Sequence, residues 1–326
     1  MKILVTGGAG FIGSNYIRYI LEKYPEDEIV NLDALTYAGN LNNLKDLENN
    51  SRYKFVKGNI TDKKIVNEVM QGVDLVVHFA AESHVDRSIE DSDIFVRTNI
   101  NGTLNLLESA RDNGGIRFHH ISTDEVYGSL GPNDPAFNEE TCYDPRSPYS
   151  ASKASSDHLV RAYFHTHNLP ITISNCSNNY GPYQFPEKLI PLFVTNLIDG
   201  KKVPIYGTGK AVRDWLYVED HCEAIDLIAR KGKIGETYCV GGDAEKNTLE
   251  ITDVILLEMG KDKEMMEFVE DRKGHDMRYA IDFSKIKNEL GWEPTVSFEE
   301  GMKKTIDWYK NNQQWWRDIL SGDYQN

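Results

Sequence analysis

Short apolar runs alternate with longer amphipathic stretches from the first residues onward. Lys2–Thr6 reads as a buried strand and Phe11–Tyr24 as a helix. Ile29–Leu32 and Tyr53–Val56 read as the next two strands. Asp74–Ala80 (DLVVHFA) is the clearest buried strand, β-branched and nearly all apolar. A long helical pattern lies around Ser88–Asn113, and a strand follows at Arg117–Ser122. Ser147 and Pro148 predict a helix start, because serine satisfies orphan amides and proline fits the first helical position. Leu159, Ala162 and Tyr163 fall at i, i+3 and i+4 on that helix, and Ile171–Asn175 reads as a further strand. Strands and helices in this alternation predict an α/β fold, a doubly wound parallel sheet with helices on both faces.

The texture changes after about residue 176. Gly181-Pro182, Pro186, Pro191, Pro204, Gly207 and Gly209 punctuate shorter elements. This predicts a large domain over residues 1–175 and a smaller α+β lobe over 176–326, with some segments returning to the large domain. Ser297–Leu320 reads as one helix whose Trp308, Trp315 and Trp316 pack on the body or on a second subunit. Asp262–Glu270 reads as an acidic, Lys-flanked solvated stretch without a role. Across 326 residues, Lys+Arg of 36 against Asp+Glu of 51 leaves a net charge of −15. That balance opposes a nucleic-acid surface, which needs a cationic field. Cys142, Cys176, Cys222 and Cys239 lie far apart with no CxxC pair, a pattern of free thiols in a reducing compartment. The opening MKILVTGG is too short an apolar run for a leader, and no run of 18 apolar residues occurs, so a soluble, cytoplasmic protein is expected.

Candidate chemistry starts at Gly7-Gly8-Ala9-Gly10-Phe11-Ile12-Gly13, between the first strand and the first helix. Such a turn must be tight and must let backbone approach a pyrophosphate, which the helix N-terminus then attracts. Asp33 ends the second strand about 20 residues beyond Gly13, where a carboxylate accepts from an adenosine ribose. The same charge repels a 2′-phosphate, so NAD is expected rather than NADP. Tyr149 and Lys153 stand at i and i+4 on one helix face. A free tyrosine has a pKa near 10. A lysine ammonium and an oxidised nicotinamide would lower it, letting Tyr149 take a hydroxyl proton while hydride leaves the same carbon. The glycine turn, the Tyr-x-x-x-Lys pair and Ser122-Thr123 ahead of it resemble the extended short-chain dehydrogenase/reductase family of nucleotide-sugar epimerases and dehydratases, built on a Rossmann sheet.

Ser122-Thr123-Asp124-Glu125-Val126-Tyr127-Gly128 follows the strand at 117–122, and C-terminal strand ends line the ligand crevice of such sheets. Adjacent carboxylates there are a candidate general acid and base, with one pKa raised by repulsion and burial. Oxidising C4 of a hexose acidifies the C5 hydrogen and makes the C6 hydroxyl a leaving group. Returning hydride to C6 and a proton to C5 gives a 4-keto-6-deoxy sugar. A 4-epimerase has no use for the carboxylate pair, and a non-catalytic NAD-binding regulator has no use for the whole set. Both remain as alternatives, the epimerase as one acting on a UDP-sugar, and so does a dehydratase of a hexose carried on another base.

Within the family, the resemblance narrows to enzymes dehydrating thymidine-diphosphate hexoses. It is carried by Asp33–Asn40, Ala80–Ser88, Ser122–Gly128, Tyr149–Lys153, Asn178–Pro182 and Asp271–Asp276. It implies Asp124 as the C6 acid, Glu125 as the C5 base, Tyr149 as the C4 base assisted by Lys153, and Thr123 as a hydrogen-bond partner of the C4 oxygen. It implies NAD contacts from Gly7, Gly10, Phe11, Ile12, Gly13, Asp33, Ala34, Leu35, Thr36, Asn59, Ile60, Phe79, Ala80, Ala81, Ser83, Thr98, Tyr149, Lys153 and Asn179. It implies contacts with dTDP-glucose from Ser83, Thr123, Asn178, Lys188, Leu189, Pro204, Ile205, Tyr206, Arg213, Asn247, Arg272 and His275. Asn59 stands where the family pattern has Asp. Thr248 stands where it has Asn, with Asn247 one position earlier, which leaves that contact open between Asn247 and Thr248. The resemblance further implies a homodimer through two large-lobe helices and a role in deoxysugar (rhamnose) biosynthesis. His78, His119 and His120 lie in strand patterns and read as structural. No His, Asp or Glu cluster has metal-ligand spacing.

Overall fold

The computed structural model describes residues 1–270 and 276–325. Its strands, in chain order, are β1 (Lys2–Thr6), β2 (Glu28–Asp33), β3 (Tyr53–Lys57), β4 (Leu75–His78), β5 (Arg117–Thr123), β6 (Ile171–Cys176), β7 (Asn178–Tyr180), β8 (Val203–Tyr206), β9 (Val212–Tyr217), β10 (Thr237–Val240), β11 (Glu245–Asn247) and β12 (Met266–Val269). A seven-stranded parallel sheet runs in the order β10-β6-β5-β4-β1-β2-β3. Chain direction across the sheet reverses between β1 and β4, and a crevice opens at the carboxyl ends of those strands.

Both faces of the sheet are covered, which is why its strands read as continuous apolar runs. Leu4, Val30, Val76 and Phe118 pack one face against Leu106, Leu107 and Val160. Ile3, Val5 and Val77 pack the other against Tyr16, Ile17 and Ile20 of the helix Phe11–Lys23, and against Val218 and Ile225 of the helix Val218–Lys231. The buried histidines are paired within this core. His78 lies 2.7 Å from Thr6 Oγ1 and 2.9 Å from Thr103 Oγ1. His119 bridges Thr172 at 2.9 Å and Ser174 at 3.2 Å.

Several sequence expectations shift. Strand β4 ends at His78 rather than Ala80, because Phe79 and Ala80 leave the ladder to rim the crevice, with the Phe79 amide still on Thr6 O. The helical stretch at 88–113 begins at Val85 and breaks at Asp91, whose side chain caps the next turn. It then widens over Val96–Gly102 before continuing as Thr103–Asp112. The wide turns carry Asn99 inward, where its Nδ2 donates to Glu82 O and Ser152 Oγ. In the helix Pro148–His167 the buried side is Ser152, Lys153, Ser156, Asp157, Val160 and Tyr163, and Ala162 is exposed. The helix expected over Ser297–Leu320 is two, Phe298–Asn311 and Gln313–Ser321, separated at Asn312.

The second lobe joins β11-β9-β7 and β12-β8 to the helices Leu189–Ile198, Thr248–Met259 and Phe298–Asn311. Its core includes Phe193, Val203, Trp215, Ile251, Met302 and Trp316. The stretch Asp262–Glu270 is not merely solvated, since Met266–Val269 pairs with β8 and Met265 and Met266 rest on that core. Trp316 is buried on the body, its Nε1 donating to Tyr309 O at 3.1 Å. Strand β10 and the helix Val218–Lys231 return from the second half of the chain to the large sheet. All four cysteines are free thiols. Among the described residues no helix is long and apolar enough to cross a membrane.

Candidate active site

A cleft of about 960 Å³ runs from the glycine turn, past the ends of β1, β4 and β5, to the loop before the helix Leu189–Ile198. Its floor is the turn after β1. Gly7 has φ +73°, and a Cβ there would fall 2.6 Å from Ala80 N. A Cβ at Gly13 would fall 2.5 Å from Gly7 O, so helix and strand approach only because both positions lack one. A Cβ at Gly10 meets only Gly7 O, at 3.3 Å, and would otherwise occupy the cleft. No side chain caps the helix that starts at Phe11, which leaves its first-turn amides to whatever anion lies there. Asp33 Oδ2 accepts from Ala9 N at 2.9 Å and Oδ1 from Leu35 N at 2.8 Å. Burial outweighs these bonds and raises its pKa, while the carboxylate keeps lone pairs toward the cleft. This cradle fits a dinucleotide diphosphate and an adenosine ribose.

The reacting end is built where β5 stops. Thr123 is its last residue and caps the short turn Asp124–Tyr127, Glu125 N donating to Thr123 Oγ1 at 3.3 Å. That turn places Asp124 and Glu125 on the cleft wall beside Tyr149 and Lys153. Gly128, at φ +93°, lets the chain turn away under Asp144. Asp124 is 2% exposed, and its Oδ2 has no hydrogen-bond partner. Burial, then the Glu125 charge, push its pKa well above the ordinary carboxylate range. Glu125 is pushed up to about 6 by burial, against the opposing pull of Arg213 and Lys188. Two carboxyl groups side by side therefore divide into a holder and an acceptor of a proton at neutral pH.

Tyr149 departs from the sequence expectation. Burial, and next the Glu125 charge, push its hydroxyl well above 10, and a hydrogen bond from Thr123 is the opposing influence. Lys153 Nζ donates instead to Ile121 O at 2.7 Å, and burial lowers its pKa. Asp157, one turn beyond Lys153, accepts from Ser122 Oγ and Tyr143 OH at 2.8 Å each and lies 3.1 Å from His120 Nε2. It holds the end of β5 onto this helix. The i+4 spacing from Lys153 was its only sequence signal.

The remaining expected residues divide clearly. Phe11, Ile12, Ala34, Thr36, Asn59, Ile60, Phe79, Ala80, Ala81, Ser83, Thr98, Asn178, Asn179 and Lys188 all line the cleft. Leu35 does not, and uses its amide to orient Asp33. Leu189 packs against the second-lobe core, and Ile205 is fully buried in it, because alternate residues of β8 point into that core. Pro204 and Tyr206 flank it on that strand, off the cleft wall. Arg213 lies 4.3 Å over the Tyr279 ring and acts on Glu125 through its charge. Asn247 caps the helix Thr248–Met259, its Oδ1 accepting Glu250 N at 3.0 Å. Arg272 and His275 lie outside the described residues. Tyr37, which the sequence reading named only inside the segment Asp33–Asn40, and Phe185, which it did not name, also line the cleft. Their rings meet edge-on at 5.7 Å, a pairing across the sequence that no local pattern announces.

A cradle for an adenosine diphosphate, a buried tyrosine and a lysine one helical turn away are what an extended short-chain dehydrogenase/reductase requires, on that class's sheet. A family model described as GDP-mannose 4,6 dehydratase matches residues 4–305, and the chain belongs to that family. A relative from Xanthomonas campestris pv. campestris (strain B100), named dTDP-glucose 4,6-dehydratase, is 53% identical over 342 residues, covering 99% of this chain and 97% of its own. A crystal structure of a Streptomyces venezuelae dTDP-glucose 4,6-dehydratase with NAD and dTDP bound superposes with a TM-score of 0.95 at 49% identity, covering 98% of this chain and 100% of the other. A UDP-glucose 4-epimerase from Thermotoga maritima superposes with a TM-score of 0.89 at 31% identity, covering 96% of this chain and 100% of the other.

Proposed function

We propose that this chain is an NAD-dependent dTDP-glucose 4,6-dehydratase, a hydro-lyase giving dTDP-4-dehydro-6-deoxyglucose. The observation that carries the reading is the Asp124–Glu125 pair, one carboxyl driven strongly toward its protonated form and the other to about 6, on the same cleft wall as Tyr149. When bound, NAD supplies the hydride acceptor for C4, the hydride returned at C6, and positive charge near Tyr149. Tyr149 would receive the C4 hydroxyl proton as its phenolate, the form that the positive charge of bound NAD would favour against burial and the Glu125 charge, and Thr123 would hydrogen-bond the oxygen left behind. Glu125 takes the C5 proton once C4 is a ketone. Asp124 protonates the C6 hydroxyl, which departs as water, and Glu125 gives its proton back to C5. A completed cycle leaves one proton on Tyr149 and removes one from Asp124. The Thr123 hydroxyl, which donates to Asp124 Oδ1 at 3.3 Å and is hydrogen-bonded to Tyr149, would pass it between them.

Residues 1–175 would hold NAD, with Phe11 and Ile12 amides at the diphosphate and Asp33 at the ribose. Residues 176–326 would hold the nucleotide sugar, Lys188 and Arg213 opposing its negative charge. Two copies would pair through the large lobe, where Ile89, Ile94 and Val96 expose apolar surface. Free thiols and a nucleotide-sugar substrate fit the cytoplasm and the supply of an activated 6-deoxyhexose such as rhamnose. The test is turnover of dTDP-, UDP-, GDP- and CDP-hexoses with mass detection. Loss of one water from dTDP-glucose with a 4-keto product is expected. Conversion of UDP-glucose to its C4 stereoisomer without loss of water would overturn the assignment in favour of the epimerases of the same fold.

A further inference from the structure

Two segments distant in the chain meet beneath the glycine turn. Trp315, in the helix Gln313–Ser321 of the second lobe, donates its indole Nε1–H to Asn43 Oδ1 at 2.8 Å. Asn43 is 2% exposed and donates through Nδ2 to the Ala9 carbonyl at 2.9 Å. That carbonyl also accepts the Asn40 amide at 3.0 Å, and the Ala9 amide donates to Asp33 Oδ2 at 2.9 Å. Both peptide planes of Ala9 are thereby held, just ahead of Gly10, Phe11 and Ile12 on the cleft floor. A turn made of Gly7, Gly8 and Gly10 has little stiffness of its own, so bonds of this kind must set its pose. The indole is itself fixed: its ring lies 4.9 Å from Trp308 and 5.9 Å from Tyr183, both edge-on. Arg18, from the helix that follows the turn, lies 4.4 Å over Tyr183 and donates to Asn43 O.

We propose that Trp315 is a positioning residue for the dinucleotide: through Asn43 and Ala9, the second lobe's C-terminal helix holds the phosphate-binding turn in its receiving pose. The proposal rests on the reading that this turn carries the NAD diphosphate. Replacing the indole by a phenyl ring keeps an aromatic side chain in the box but leaves Asn43 Oδ1 buried without its donor. The Asn43 amide is then no longer held toward Ala9. The loss falls on the ordered turn that NAD requires, and NAD affinity should drop about five- to tenfold, the worth of one ordinary hydrogen bond.

The experiment titrates full-length protein stripped of NAD with NAD in a calorimeter, and records the thermal midpoint without NAD. The variants are Trp315→Phe, Asn43→Ala, the two together, and Trp308→Phe. Trp315→Phe is expected to weaken NAD five- to tenfold. Trp308→Phe, which alters the same aromatic box without touching Asn43, is expected to bind NAD as the native chain does. The double variant is expected to bind no more weakly than Asn43→Ala, because both act along one path. Native NAD affinity in Trp315→Phe would overturn the proposal. So would an equal loss in Trp308→Phe, which means packing alone, or additive losses in the double variant. A native chain that takes up no NAD would instead overturn the cofactor reading, and the proposal with it.

Discussion

Glu125→Gln separates the two halves of the reaction, and the structure gives the sign of each effect. The substitution keeps the side chain's size, removes the carboxylate proposed as the C5 base and removes one negative charge from a crowded site. Glu125 is the largest charge influence raising the pKa of both Asp124 and Tyr149. Without it, both groups give up their protons more readily. Tyr149 ionises more easily, so hydride removal from C4 should persist. Elimination should slow by about 10²–10⁴, the usual contribution of a positioned base, which is roughly 3–5 kcal/mol in barrier. Reduced nicotinamide should accumulate on mixing with dTDP-glucose, visible by stopped-flow absorbance, while 4-keto product forms slowly. The pH profile carries a second signature. With a pKa of about 6, the native base is about nine-tenths ionised at neutral pH, and kcat/KM should fall about tenfold per unit of pH well below that value. That acid limb should vanish in Glu125→Gln, and the alkaline limb, set by loss of the Asp124 proton, should move to lower pH. A variant with near-native turnover, or one that builds up no reduced nicotinamide, would refute Glu125 as the C5 base.

Asp124→Asn should abolish dehydration and raise the thermal midpoint. The folded-state pKa of Asp124 is raised, so its favourable contribution is complete below the ordinary carboxylate value and is lost as pH rises. The gain in Tm should therefore be larger at alkaline than at acidic pH, and a lower Tm at every pH would count against a buried, proton-holding Asp124. Gly13→Ala places a methyl 2.5 Å from the Gly7 carbonyl, so the turn must shift. Destabilisation of about 1–3 kcal/mol by chemical unfolding, with a marked loss of NAD affinity, is expected; native stability and binding would show that helix and strand are not in close contact there.

Much of the site was legible along the chain because each signal is local. Gly7 to Gly13, Asp33, Asp124-Glu125 and Tyr149 with Lys153 are short motifs at the ends of strongly patterned strands or on one helix face. Strand periodicity placed β1 to β6 to within two or three residues, because strands buried on both faces carry near-continuous apolar runs. Local pattern also fixed the helix start at Ser147, where serine and Ser150 form a reciprocal cap.

What only the tertiary structure decided is how those motifs act on one another. The pKa of Tyr149 moves up, because burial and Glu125 dominate and Lys153 is drawn to the Ile121 carbonyl. Which residues of β8 enter the second-lobe core, the capping duty of Asn247, and the return of β10 to the large sheet follow from packing between segments that share no local pattern. The Trp315–Asn43 bond joins helices from opposite ends of the chain. Burial, field and long-range hydrogen bonding are sums over neighbours in space. A linear sequence names the groups that enter those sums and leaves their distances to the fold.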